Sequence, residues 1–79
     1  MEAVQIKPLA YGKKQAVKAN VHGAMSYDAI NGNLFVNVAV FTEADELCEV
    51  FSVKLDKQFT DTWVEDSAVL SKAIELLEL

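Results

Sequence analysis

Most of what this chain does not do follows from what it has little of. It carries one cysteine, Cys48, so it can form neither a disulfide framework nor a thiolate zinc site. His22 is the only histidine, which removes paired-imidazole metal spacing and leaves Ser and Thr hydroxyls with a single imidazole as base. The three glycines, Gly12, Gly23 and Gly32, lie too far apart for a phosphate-cradling loop. With only one proline besides, disordered, collagen-like and low-complexity classes are excluded. The longest apolar run, residues 38–41, is far short of the ~20 residues a membrane helix needs. The N-terminus lacks the charged and then apolar segments of a signal peptide. The expectation is a soluble protein made in a reducing cytoplasm, with no cofactor and no metal.

Positive charge is scarce as well. Seven basic residues face twelve acidic ones, a net charge of −5, and a nucleic-acid binder needs the opposite balance to neutralise phosphates. The lysines of "KPLAYGKK" surround a turn and are expected to be a solvated loop. Hydrophobic residues, by contrast, make up 52% of the 79 residues. A chain near the lower size limit for unaided folding has only a thin core in which to hide them, so burial against a partner is expected.

Four segments alternate with the period of two that marks half-buried strands. They are "AVQIK", "QAVKANVHGAMSY", "NLFVNVAVFT" and "LCEVFSVKLD", giving expected strands at about 2–7, 15–27, 34–42 and 47–56. "NG" at Asn31-Gly32 is a strong hairpin signal, because a type I′ turn needs positive φ at both central residues. Centring a turn there pairs Tyr27 with Val36, Met25 with Val38 and His22 with Phe41. A loop at "EADE" pairs Val38 with Phe51, Val36 with Val53 and Leu34 with Leu55. Both hairpins place Val36 and Val38 on one face, and a one-residue slip in either would break that agreement. The expected fold is α+β: a four-stranded antiparallel β-meander in a single domain, residues 1–79, with one C-terminal α-helix packed on one face.

That helix is expected over about 63–78. "TWVE" fits a capping box from Thr62 to Glu65, and the acidic residues Glu65 and Asp66 then suit the positive end of the helix dipole. Helical spacing lines up Trp63, Leu70, Ala73, Ile74 and Leu77. Trp63 is thereby expected at the head of a buried stripe, plugging one end of the core. Its acidic neighbours need no ligand to explain them.

No catalytic constellation emerges. In the expected register His22 faces Phe41, which faces Cys48, so imidazole and thiol lie about 9–10 Å apart at ~4.8 Å per strand step. A catalytic hydrogen bond requires ~2.6–3.2 Å. The carboxylates of "EADE" and "VED" belong to a hairpin tip and a helix start, where solvation and capping account for them. The informative remainder is the second sheet face, which carries apolar residues where a solvated face should be polar. Phe35, Ala39, Phe41, Cys48 and Val50, with His22 beside them, form the candidate partner-binding patch.

Beyond spacing, the chain resembles a group of very small bacteriophage proteins encoded among virion genes. The likeness begins at "VQIKPLAYGKKQAVKANV", an opening strand, a Pro-Leu-x-x-Gly turn and a second strand. It continues through the mid-chain hairpin and ends at "FTDTWVEDSAVLSKAIELLEL". There an aromatic-x3-Trp spacing, Phe59 and Trp63, precedes an acidic residue and a terminal helix ending in Leu-x-Leu. Val64 follows Trp63 where relatives often carry Gly. The resemblance implies a non-enzymatic structural or attachment component of the virion, in the tail, baseplate or fibre region. It implies other virion proteins as partners and no catalytic residues; the apolar patch could also serve copies of the chain itself, and composition leads to no expected small-molecule substrate, nucleic acid or membrane. The alternatives are a capsid-surface auxiliary protein and a small soluble regulator or inhibitor that binds a host protein.

Overall fold

The computed structural model describes residues 3–63 and 65–79. Glu2 and Val64, which the expected first strand and helix included, lie outside the described residues. The fold is α+β, an antiparallel sheet of five strands followed by helical segments. In chain order these are β1 (Val4–Tyr11), β2 (Lys14–Val21), β3 (Ser26–Asp28), β4 (Asn33–Phe41), β5 (Leu47–Leu55), α1 (Lys57–Thr60) and α2 (Asp66–Leu77).

β4 organises the sheet. β5 pairs with it from Leu34 to Phe41 and so occupies one whole edge. The other edge is shared, with β2 taking Val38 to Phe41 and β3 taking Asn33 to Phe35. β2 and β3 are thus two pieces of the second strand expected over 15–27. The strand breaks at residues 22–25, where Gly23 adopts φ +72°, a conformation that glycine takes without a Cβ penalty.

On the β5 side the expected pairs are the observed ones: Leu34↔Leu55, Val36↔Val53 and Val38↔Phe51. On the other side the register differs. Tyr27 faces Leu34 rather than Val36, Val21 takes the place of Met25 opposite Val38, and Lys18 takes that of His22 opposite Phe41. The displacements are even, so each residue keeps its expected side of the sheet. The break at 22–25 adds two residues to the displacement of β2, and the two common to both strands come from Asp28. Its carboxylate accepts from the N–H of Ile30 at 3.0 Å and from Asn31 Nδ2 at 2.8 Å, and the Gly32 N–H donates to its carbonyl at 2.7 Å. These bonds close a four-residue loop over 29–32 in place of a two-residue type I′ turn. Of the Asn-Gly pair only Gly32 takes positive φ.

Two further departures bear on the surface. β1 runs on to Tyr11 instead of ending near residue 7, with an irregularity between Gln5 and Leu9. Pro8 falls there, and it has no N–H for the ladder. At the far end of β4 the register slips, so Val40 faces Glu49 and Phe41 faces Leu47, leaving Cys48 as a bulge. The neighbouring loop reverses through Asp45 at φ +65°, where Asp is better tolerated than most residues. Lys14–Glu46 and Lys18–Asp45 ion pairs link this tip to β2.

The buried cluster joins Leu34, Val36, Val38 and Val40 of β4 to Ala16 and Ala19 of β2, Leu55 of β5, and Val69, Leu70 and Ala73 of α2. Val4 and Tyr27 are 43% and 56% exposed at its margin. The helix also starts later than expected. Asp56 caps α1 first, its carboxylate accepting from Phe59 N–H at 3.2 Å. The Thr60 hydroxyl donates to the Gly32 carbonyl at 2.8 Å and ties α1 to the β3–β4 loop. No capping box forms, because Thr62 donates instead to the Phe59 carbonyl at 3.1 Å and Glu65 is itself the N-cap of α2. Trp63 therefore precedes the helix rather than heading it. It is still partly buried against the core, with its ring stacked on Phe59 at 6.5 Å and Nε1 donating to the Glu65 carbonyl.

Candidate interaction surface

The side of the sheet opposite Leu34, Val36, Val38 and Val40 is built in rows by the register of β4. Ser26, Phe35 and Lys54 form one row, Asn20, Ala39 and Val50 another, and Lys18, Phe41 and Leu47 a third. Between the first two lie Asn37 and Ser52, joined by a 2.9 Å bond from the Ser52 hydroxyl to Asn37 Oδ1. His22 stands beside Asn37, to whose carbonyl its backbone N–H donates at 2.8 Å.

Only part of the expected patch is open. Phe35 and Val50 are 44% and 39% exposed, His22 is exposed, and Phe41 is half-buried. Ala39 is fully buried, as a short side chain between the taller Asn20 and Val50 must be. Cys48 leaves the patch as well. Placed in the bulge, it packs against the core cluster together with Leu9 and Tyr11. In its stead Leu47, half exposed, faces Phe41. Alternation alone could not identify Leu47, because a bulge inverts the parity of every residue beyond it. A depression of about 340 Å³ is lined by the Phe35 row and the Asn37–Ser52 pair.

The Cys48–His22 separation exceeds the expected one. His22 lies level with Asn37, which faces Ser52, four residues along β5 from Cys48. That adds about 13 Å along the strand at ~3.3 Å per residue to the crossing of β4. Electrostatic perturbation is concentrated elsewhere, at the hairpin tips. Burial, then Glu49 and Cys48, push the Tyr11 phenol above its usual range. The Glu46 carboxylate hydrogen-bonded to Lys14 holds that amine protonated to higher pH.

A second concavity, about 560 Å³, lies between β5, α1 and α2 and mixes Leu55, Phe59 and Leu76 with Lys54, Asp56 and Lys72. Among the described residues no group of three or more His, Cys, Asp or Glu could hold a metal ion. No helix among them is long and apolar enough to cross a membrane. No protein-family model, curated protein or solved structure matches the chain.

Proposed function

We propose that this chain is a non-enzymatic structural or attachment component of a bacteriophage particle, in its tail, baseplate or fibre region, working through protein–protein contacts. In this reading α2 covers one face of the sheet and the opposite face is left for other virion proteins. The observation that carries the contact role is the exposure of Phe35, Leu47 and Val50 on the side of the sheet away from Leu34, Val36, Val38 and Val40. Large apolar side chains gathered on one surface of a small acidic domain mark a partner contact. The placement in a particle rests on the resemblance of the Pro-Leu-x-x-Gly hairpin and the Phe59–Trp63 segment to small virion-associated proteins.

Two measurements test the reading. Mass spectrometry of purified particles from cells producing the phage that encodes this chain should find it in fixed stoichiometry with the major structural proteins, and its absence would overturn the reading. Phe35→Glu, at a position 44% exposed, should leave the isolated chain folded by circular dichroism yet deplete it from particles.

A further inference from the structure

We propose that β5 pairs through its outer edge with β5 of a second copy, antiparallel about a twofold axis through Ser52, joining two sheets into one of ten strands. The pairing goes beyond the particle reading and does not depend on it.

A strand hydrogen-bonded on one side only presents a row of unpaired N–H and C=O groups, and natural sheets blunt such edges with prolines and irregularities. The outer strands here differ in this respect, and β3 is only three residues long. β1 contains Pro8 and loses its register between Gln5 and Leu9. β5 has no proline, pairs among the described residues with β4 alone, and keeps unbroken register from Glu49 to Leu55. That stretch is the edge able to accept another strand.

The occupant follows from the residues along the stretch. Ser52 is its midpoint, so a twofold there overlaps all of it and keeps the two faces in common. Phe51 then meets the partner's Val53, and the partner's Phe51 meets Val53, an aromatic–β-branched pairing that favours sheets. Both residues are only partly buried in the single chain, and they lie on the core side of the strand. On the other side Val50, 39% exposed, meets the aliphatic stem of the partner's Lys54.

Charge agrees with the antiparallel sense. Glu49 and Lys54 stand near opposite ends of the stretch, and among the described residues neither forms a salt bridge within the chain. Antiparallel overlap sets Glu49 opposite the partner's Leu55 on the core side and Lys54 opposite its Val50 on the other, so no like charges come face to face. Two outer edges of β5 can pair in parallel only if one sheet is turned over, which would separate the two core sides; the antiparallel sense keeps them on one face.

Sedimentation equilibrium of the full chain and two charge variants tests this. The native chain should dimerise. Val50→Lys places ammonium groups opposite the partner's Lys54 twice per dimer and should weaken association about tenfold or more. Val50→Glu at the same position meets Lys54 with opposite charge and should retain or tighten the dimer. Phe35→Glu, which the particle reading requires to matter, should leave dimerisation unchanged, so the two readings fail separately. Independently of any variant, hydrogen exchange of the native chain should show alternate amides of residues 49–55 gaining protection with concentration. A monomer at millimolar concentration, equal effects of the two Val50 substitutions, or no added protection in β5 would each overturn the proposal.

Discussion

Asp28 and Gly32 together decide where the central hairpin turns, and each makes a separate prediction. Gly32 holds φ +74°, and a Cβ built there would lie 2.9 Å from Lys57 Cγ. An L-residue in the left-handed region costs about 1–2 kcal/mol, and Lys57 would have to move from its ion pair with Asp61. Gly32→Ala should therefore lower the unfolding free energy by roughly that amount, read as a lower urea midpoint with an unchanged slope. An unchanged midpoint would mean that the residue does not hold positive φ in solution. Asp28 is read through pH. The side-chain hydrogen bond from Asn31, supported by the N–H groups of Asn31 and Ile30, holds its carboxyl below the usual carboxylate range. A folded-state value below the unfolded one gives stabilisation that is complete above the unfolded value and is lost as pH falls through the folded one. Acid should thus loosen the 29–32 loop before the sheet. Asp28→Asn should remove that acid-dependent step, seen as pH-independent exchange of the Ile30 and Asn31 amides, whereas a titration retained in the variant would assign it to another group.

At the scale of elements, what could be read from the sequence divides according to which interactions set each boundary. The β4–β5 register was legible because strict alternation in both strands leaves one pairing that buries Leu34, Val36 and Val38 with Leu55, Val53 and Phe51. The break after Val21 was not, because "VHGAM" continues the alternation and only the backbone of Gly23 marks the interruption. The Asn-Gly signal indicated a hairpin but not its length, since an aspartate three residues earlier captures the loop N–H groups. The start of α2 was misplaced for a related reason: Asp56 nucleates a short turn first and draws Thr62 into it. In the candidate surface, Phe35 and Val50 were legible as exposed apolar residues, while the bulge exchanged Cys48 for Leu47. The helical stripe itself survived the later start, with Leu70 and Ala73 buried. Leu70 shares its cluster with Val36 and Val38, so Leu70→Ala should cost about 2–5 kcal/mol. Leu76→Ala on the exposed side of α2, at 48% exposure, should stay within ~0.5 kcal/mol. Comparable losses at the two positions, measured by denaturant unfolding, would show that α2 does not seat on the sheet through Leu70.

For the whole molecule, the central question is which part holds the rest. A domain of 79 residues has only roughly 4–12 kcal/mol of stability to distribute, and its pairing is unevenly shared. β4 is flanked along both edges and supplies four of the fully or nearly fully buried large side chains, Leu34, Val36, Val38 and Val40. β1 has one neighbour, an interrupted register and the exposed Val4. The ion pairs linking the β4–β5 tip to β2 involve exposed carboxylates, and such pairs add little at physiological salt. Burial, rather than surface charge, must then set the hierarchy of opening. Amides of β4 and of the pairs it makes with β5 should exchange only through global unfolding, with free energies equal to that from denaturant titration. Amides of β1 before Leu9 and of residues 22–25 should exchange through smaller, local openings that are insensitive to denaturant. Raising salt should leave the β4 class almost unmoved. A salt-dependent slow class, or β1 protected as strongly as β4, would mean that the tip contacts close the sheet into a single cooperative unit.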